Sequence, residues 1–209
     1  MKAIQQQNDS VFKRVLLLYG AYMLLNNSAY LIGYYFLPAG FMRGSPQTAA
    51  ARLVNSAGSF GMELALTLVF NLGMVTLLVI LLNLNQVNGF PTGYVYPQIL
   101  GVVGGLIAGT NSFIASDLTQ YTVWEGMALS LSIGNLEILG YICVIAATVK
   151  LGIYQYKSWW RWTGEWKAIK TERIRDVRLD RFEVAILIVG IALVLFAAYR
   201  ETLMAWGML

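Results

Sequence analysis

The 209-residue chain has no histidine, a single cysteine and only four prolines. The absence of histidine excludes a His-based catalytic triad, an imidazole zinc site and a haem held by histidine. The lone cysteine, Cys143, has no partner for a disulfide within the chain. The four aspartates lie outside or at the ends of the apolar stretches, so a facing pair of intramembrane aspartates is excluded too. We therefore expect a protein that is not an enzyme and holds neither a metal ion nor a cofactor.

Charged side chains are also scarce, and apolar ones take their place. Charged residues make up 12% of the chain and hydrophobic residues 57%, against about 25% charged residues in soluble domains. A helix needs about 20 predominantly apolar residues to cross a membrane. Five stretches meet this length, at 14–37, 60–82, 95–116, 124–150 and 182–206. The sequence thus predicts an all-α polytopic membrane protein with about five transmembrane helices in one domain, 1–209.

Glycine, proline and asparagine residues refine this division of the chain into five spans. The fourth stretch is long enough to be tilted, or broken near Gly126 or Gly134. Ser45 before a proline is typical of a helix N-terminus and predicts a short helix over 46–58, outside the second span. The Asn-Gly pair at 88–89 predicts a tight connection between the second and third spans.

Basic residues are unevenly distributed over the connections. If the N-terminus is cytoplasmic, 12 of the 15 lysines and arginines lie on that side, nine of them between Lys150 and Arg181. The far side then carries Arg43 and Arg52. By the positive-inside rule, we expect the chain in the plasma (inner) membrane with its N-terminus in the cytoplasm and its C-terminus outside.

The segment 151–181 is then a cytoplasmic excursion rich in basic residues and tryptophan. Tryptophan prefers the headgroup level and basic side chains prefer anionic lipid, so we predict an interfacial segment in contact with membrane lipids. The tryptophans are Trp159, Trp160, Trp162 and Trp166. The alternative is a docking surface for a cytoplasmic partner. A net charge of only +4 and the lack of a glycine-aromatic RNA signature argue against nucleic acid as a partner.

One carboxylate, Glu137, lies inside an otherwise apolar run, GNLEILGYI. By helical rise it is roughly 20 Å into the fourth span, near or past the midplane. Facing lipid there would cost at least about 2.5–3.5 kcal/mol. Glu137 is therefore expected to face protein or a wet cavity.

Amides at compatible depths are the predicted neighbours of Glu137, and together they form a predicted polar seam. The seam consists of Asn26, Asn27, Asn71, Asn111 and Asn135, with Arg200 and Glu201 near the outer end of the last span. Arg200 can snorkel to the interface or reach Glu137. Pairing with Glu63 or Glu125, at similar outer depth, is a further alternative. Helix-to-helix contacts, an ion or proton path, and binding of a partner or lipid all remain open as roles for the seam.

A glycine face on the third span gives a packing signal. In the sequence GVVGGLIAG, Gly101, Gly105 and Gly109 are four residues apart and allow another helix backbone to approach closely. The neighbour can be another span of this chain or a second copy of it. The spacing is not a nucleotide loop, because it lies inside a span and lacks the following Lys-Ser/Thr.

Four short motifs follow one another between residues 60 and 206. They are Phe70-Asn71-Leu72, Gly109-Thr110-Asn111, IGNLEI at 133–138 and AAYRE at 197–201. In this order they resemble the stage II sporulation protein M family of small multi-span membrane proteins. That family has two asparagine motifs, a His-Gly-x-x-Glu-Leu element and a closing Ala-x-x-x-Glu element. Ile133 stands where the family has histidine, and Asn135 where it usually has an apolar residue.

The resemblance implies a non-enzymatic membrane component that works by binding other membrane or envelope proteins. Our first hypothesis is therefore an accessory or scaffold subunit of a larger membrane complex, whose partners are other membrane proteins or a second copy of the chain. The alternative is a transport component, a permease or channel subunit, that uses Glu137 and the neighbouring amides.

Overall fold

The structure is a computed structural model that describes residues 10–112, 122–159, 167–170, 173 and 176–208. Helices dominate these residues, as the apolar stretches predict. The α-helices are α1 Val11–Phe36, α2 Pro46–Asn55, α3 Phe60–Leu68, α4 Leu77–Asn83, α5 Val95–Gly109, α6 Val123–Thr148 and α7 Arg181–Ala205. Four short strands accompany them: β1 Asn85–Val87, β2 Phe90–Pro91, β3 Tyr154–Tyr156 and β4 Ile169–Lys170.

Within the described residues, four helices, not five, are long and apolar enough to cross a membrane. They are Val11–Phe36, Phe60–Asn83, Gly134–Leu151 and Arg181–Ala205. The predicted third span is the exception, because α5 has 15 residues and is only about 22 Å long by helical rise. Asn111, with a φ of 51°, takes the left-handed conformation that ends helices. The remainder of that predicted span, 113–116, lies outside the described residues.

The second long helix is not regular along its length. Between α3 and α4, Val69–Thr76 forms a π-helical segment. The Thr76 hydroxyl donates a 2.8 Å hydrogen bond to the Asn71 carbonyl within it. Such segments are uncommon and occur frequently at functional sites.

The fourth stretch forms one continuous helix. Helix α6 begins with a capping box, in which the Thr122 hydroxyl accepts from the Glu125 amide and the Glu125 carboxylate accepts from the Thr122 amide. A 3₁₀ turn, Val149–Leu151, extends it. The break considered near Gly126 or Gly134 does not occur.

The glycine face of α5 packs against α1 of the same chain. A Cβ atom added at Gly105 would lie 2.3 Å from the Asn26 carbonyl oxygen, and one at Gly109 would lie 2.2 Å from the Tyr30 carbonyl oxygen. Helices α1 and α5 run parallel, since residues further along one contact residues further along the other. The open choice between another span and a second copy is therefore settled in favour of α1.

A second close approach joins α6 to α7. A Cβ atom added at Gly140 would lie 2.8 Å from the Gly190 carbonyl oxygen, and one at Gly190 would lie 2.8 Å from the Gly140 carbonyl oxygen. The two helices run antiparallel around this contact. Residues 140–149 of α6 are buried on every side, which makes this half of α6 the centre of the bundle.

The strands form one small sheet in the order β2-β1-β3-β4. The tight connection predicted at the Asn-Gly pair is a hairpin of β1 and β2, in which Asn88 and Gly89 both have positive φ. Strand β1 also pairs parallel with β3, which ties the 84–94 connection to the 151–181 excursion. The sheet was not predicted, because strands of two or three residues leave no periodic pattern to recognise.

The bundle has two ends, which we name after one residue at each. At the Arg14 end, α1, α5 and α7 begin and α4 and α6 finish. At the Trp206 end, α1, α5 and α7 finish and α3 and α6 begin. The predicted short helix is confirmed as α2, which the Ser45 hydroxyl caps by accepting from the Thr48 amide.

Candidate functional site

At the Trp206 end, Glu201 lies on the inward face of α7 and yet is exposed. The buried residues Gly190, Val194 and Ala197 lie about three, two and one helical turns before it on the same face. An exposed carboxylate on an inward face indicates that the helices pack less closely around it than around Val194 and Ala197. We call the resulting space the vestibule and define it by Glu63, Asn71, Glu137 and Glu201.

Glu137 of α6 is partly exposed at the vestibule, although the protein surrounds it closely. The Tyr141 phenol, one turn along α6, donates a hydrogen bond to its Oε1. Glu137 is also within electrostatic reach of Tyr22 on α1, Tyr96 on α5 and Glu201 on α7. The acid is therefore surrounded by phenols from three helices and by a second acid.

Glu63 of α3 stands at the mouth of the vestibule and is 5% exposed. The Trp206 indole Nε1 donates a 2.7 Å hydrogen bond to Glu63 Oε2. Phe60 packs edge-on against both Tyr199 and Trp206, with ring centroids 6.3 and 6.4 Å apart. This contact joins α3 to α7 and brings Glu63 within electrostatic reach of Glu201.

The register between the helices places Asn71 at the inner wall of the vestibule. Since α3 and α7 are antiparallel and Glu63 contacts Trp206, Asn71 faces α7 about two turns before Trp206, near Ala198. On α6, Glu137 lies about one turn before Gly140, which contacts Val194 of α7. Glu137 therefore faces α7 at about the same level as Asn71. Asn71 is 8% exposed, and its Nδ2 has no hydrogen-bond partner among the described residues.

The predicted seam is therefore divided. Asn71, Glu137 and Glu201 belong to the vestibule, whereas Asn26 donates to the Gly101 carbonyl oxygen at 3.1 Å. Asn135 accepts from the Tyr19 hydroxyl at 2.8 Å, joining α1 to α6. The phenol of Tyr141, not an amide, is the hydrogen-bond donor that the structure shows for Glu137.

Three further members of the predicted seam lie apart from the vestibule. Asn111 forms the turn after α5 and is 8% exposed. Arg200 is partly buried and points about 100° around α7 from Glu201. Asn27 is half-buried on α1. These three polar side chains lie at separate places in the bundle. The described residues therefore do not form a single seam through all of the predicted positions.

The Arg14 end carries a charge network that the sequence analysis did not find. Glu183, which is fully buried, accepts from Arg14 Nη2 at 2.7 Å and pairs with Lys150 Nζ at 2.8 Å. Lys150 also lies 3.2 Å from Asp180. We call these four residues the Arg14 network; it ties α1, α6 and α7 together. Its one sequence signal is the D-x-x-E capping box at 180–183, which indicates a helix start but no ion pair.

Asp180 lies outside the apolar helices and caps α7. Its carboxylate accepts from the backbone amides of Glu183 and Phe182. These hydrogen bonds, that from Glu183 first, together with Lys150, hold the pKa of the Asp180 carboxyl below its ordinary value. Because the pKa is lowered, the cap stabilises the folded state above the ordinary pKa and loses this contribution as the pH falls through the lowered value.

The interior beside the Arg14 network is closed. Val79, Ile142, Val144 and Ile145 are fully buried there. Asn83 is fully buried too, and its Nδ2 donates at 2.8 Å to the Ile145 carbonyl oxygen and to the Thr148 hydroxyl. Mainly apolar side chains, with Asn83 and Thr148 among them, therefore fill the bundle between the vestibule and the Arg14 end.

The remaining site predictions fall on the excursion. Trp159 is 52% exposed and lies 6.2 Å from Phe90 of the sheet, ring centre to ring centre. Trp160, Trp162 and Trp166 lie outside the described residues. Among the residues that are described, no group of histidine, cysteine, aspartate or glutamate side chains is arranged to hold a metal ion.

Comparisons of the chain with protein-family models, curated proteins and solved structures found no match. The resemblance to the stage II sporulation protein M family stays a prediction. Three residues of its motifs, Asn71, Glu137 and Glu201, are among the four that define the vestibule.

Proposed function

We propose that the chain is an integral membrane protein that acts as a non-enzymatic accessory or scaffold subunit of a larger membrane complex. The observation that carries the proposal is the closed interior of the Arg14 half, together with polar contacts that join helices of this chain to one another. A protein built this way keeps a fixed shape and binds its partners through its outer surface. The resemblance of its motifs implies the same kind of role.

The same observation weighs against the transport alternative. A permease or channel needs a polar route that opens, at least in turn, to both ends. The vestibule supplies polar groups at the Trp206 end, but residues 140–149 of α6 are buried on every side and follow it without a break. Transport would require these packed helices to separate.

The surfaces available to a partner are large apolar rows. On α1, Leu16, Leu17 and Leu24 are 71%, 61% and 69% exposed, and on α7 Ile188 is 62% exposed. The glycines of α5 and Gly140 and Gly190 are already used in contacts within the chain. A partner helix therefore meets bulky side chains of α1 or α7, in competition with lipid.

For orientation we propose that the Arg14 end faces the cytoplasm of the plasma (inner) membrane, since the basic connections lie at that end. Trp159 and the basic residues of the excursion then lie at the headgroup level of the inner leaflet. The Trp206 end, with the vestibule, faces outward.

The first test is purification of the full chain from its native membrane in mild detergent, followed by mass spectrometry of what accompanies it. We expect a second membrane protein to co-purify in a fixed ratio to the chain. Its recovery should fall when Leu24→Ala or Ile188→Ala removes an exposed apolar side chain from α1 or α7. Leu18→Ala, on the buried face of α1, is unsuitable as a control because it opens a cavity, so Leu53→Ala on α2 serves instead. A monodisperse single chain with no companion contradicts the proposal.

The second test is ion flux into liposomes that contain the purified chain. We expect no flux above that of empty liposomes, for the intact chain and for Glu137→Gln alike. A flux that the intact chain supports and Glu137→Gln abolishes would favour the transport alternative.

A further inference from the structure

The vestibule brings acids together without an arrangement that holds a metal ion. Glu201 lies within electrostatic reach of both Glu137 and Glu63, and the described carboxylates form no group that could bind a metal. Two negative charges at membrane depth are costly to keep. The smallest ligand that removes one of them is a proton.

A second, independent feature points into the same space. Asn71 is more than nine-tenths buried, its Nδ2 lacks a partner within the part of the chain that the structure describes, and the register places it level with Glu137 and about one turn deeper than Glu201. A buried donor without a partner costs about 1–3 kcal/mol unless water or a ligand supplies an acceptor. Water between Asn71 and the two acids satisfies this donor and connects the acids.

We propose that Glu137 and Glu201 form a proton-binding pair that exchanges its proton through the vestibule with the aqueous phase at the Trp206 end. Glu201, the exposed member, receives the proton near the mouth, and Glu137 holds it at the inner wall, where Tyr141 fixes one of its oxygens. No bond other than the acid O–H is made or broken, and the proton comes from water and returns to it.

The groups that face the pair come from every helix packed around it. Tyr22 faces it from α1, Tyr96 from α5 and Tyr141 from α6 itself. From α3, Glu63 faces it while bonded to Trp206, and the neighbouring Arg200 on α7 points aside and makes an interaction of its own. The phenols are neutral donors, so they hydrogen-bond a carboxylate without fixing its charge.

The closed half of the bundle gives the exchange a direction. Beyond Glu137, residues 140–149 are buried, and the next carboxylate along the bundle, Glu183, is bound by Arg14 and Lys150. A proton therefore reaches the pair from the Trp206 end and does not pass to the Arg14 end. The inference does not depend on the scaffold role proposed above, because a site reached from one side neither requires a partner nor transports.

The test uses dicyclohexylcarbodiimide, a lipid-soluble reagent that adds a protonated carboxyl group across its C=N bond and rearranges to a stable N-acylurea. The intact chain in liposomes is labelled at a series of pH values, and mass spectrometry locates the label. We expect labelling of Glu137 that falls about tenfold per pH unit above its midpoint, because the protonated fraction changes by that factor. Changing the pH on the Trp206 side alone should reproduce this dependence; changing it on the Arg14 side alone should not.

Glu183 is the internal control, since it is at least as buried but bound by two cations, and we expect at least about tenfold less label there. Glu201→Gln, which keeps the shape of the side chain, should shift the pH midpoint of Glu137 labelling, whereas Glu125→Gln at the exposed start of α6 should not.

Four results would overturn the proposal. They are no label on Glu137 at any pH, equal label on Glu183, and control of the labelling by the pH on the Arg14 side. The fourth is loss of label when sodium is added at constant pH, which would indicate that the site binds a metal cation instead.

Discussion

The two ends of the bundle treat acidic side chains in opposite ways. At the Arg14 end, Glu183 is fully buried and lies within 2.8 Å of the cationic nitrogens of both Arg14 and Lys150. At the Trp206 end, Glu63 accepts a hydrogen bond from the Trp206 indole and Glu137 accepts one from the Tyr141 phenol. Glu201 lies within electrostatic reach of both of these acids. The two ends therefore differ in the partners that they offer a carboxylate: two cations at the Arg14 end, and neutral donors with further acids nearby at the Trp206 end.

The difference follows from packing as much as from charge. In the Arg14 half, the centre of the bundle is filled by apolar side chains of α6, and charge is confined to one neutralised network. The other half contains the π-helical segment, in which Asn71 Nδ2 has no hydrogen-bond partner among the described residues. It also contains Glu201, which lies on the inward face of α7 and is exposed. The two halves thus differ in how their carboxylates are partnered, whereas buried polar side chains such as Asn83 also occur in the Arg14 half. The predictions that follow test this contrast.

The largest effect is expected from Glu183→Gln, which leaves the buried Arg14 without a counter-charge. Breaking a buried ion pair from one side costs about 3–5 kcal/mol. The measurement is the fraction of chain that stays monodisperse after heating in mild detergent. The double variant Arg14→Met/Glu183→Leu removes both charges and should be milder than either single change; if Glu183→Gln alone is tolerated, the network does not hold the Arg14 end together.

The next effect concerns the contact that closes α5 against α1. In Gly105→Ala, the added methyl group meets the Asn26 carbonyl oxygen at 2.3 Å, and we expect a loss of about 3 kcal/mol, at the upper part of the range for overpacking. The adjacent Gly104→Ala is a matched control, because its methyl group would meet only Asn26 Nδ2 at 3.6 Å. Equal thermal stability of the two variants would contradict the assigned contact.

A smaller effect is expected at the vestibule, where water can replace lost contacts. Glu137→Leu leaves the Tyr141 hydroxyl without its acceptor and should cost about 1–2 kcal/mol and lower the yield of assembled protein. Glu137→Gln keeps an acceptor oxygen and should largely preserve both stability and yield. Equal tolerance of Gln and Leu at this position would show that Glu137 makes no enclosed polar contact.

The smallest effect is expected from Asp180→Asn, at the exposed rim of the Arg14 end. Because its pKa is lowered in the folded state, the intact chain should lose stability as the pH falls through that lowered value. Asp180→Asn removes this part of the acid dependence while leaving the Glu183 pair in place. Parallel unfolding curves of the two proteins across acidic pH would contradict the role of Asp180 as a charged cap.

Much of the helical architecture was predictable, because apolar length and capping residues are local signals. Helix α2 follows from Ser45 and Pro46, and the start of α7 from the capping box at 180–183. The end of α5 was not predictable from hydropathy, because Thr110 and Asn111 stop the helix within a stretch that is still largely apolar. For this reason the described residues contain four helices of spanning length instead of the five predicted, although the shorter α5 also runs from the Arg14 end to the Trp206 end.

The site was predictable only in part. The depth of Glu137 in an apolar run indicated an enclosed acid, and Asn71 and Glu201 were among the candidates. Which groups meet depends on helix register, however, and register arises from contacts such as Gly140 with Gly190 that are distant in sequence. The pairing of Arg14 with Glu183 was missed for the same reason, since 169 positions separate the two residues.

The contrast between an open and a closed half is tested most directly by cysteine accessibility. In a Cys143→Ala background, Glu201→Cys and Ala147→Cys are each treated with a small, charged, membrane-impermeant thiol reagent applied to one side of the membrane at a time. We predict that the Glu201→Cys variant reacts from the Trp206 side only and that the Ala147→Cys variant reacts from neither side. An unreactive Glu201→Cys variant, or an Ala147→Cys variant that reacts from either side, would contradict the account.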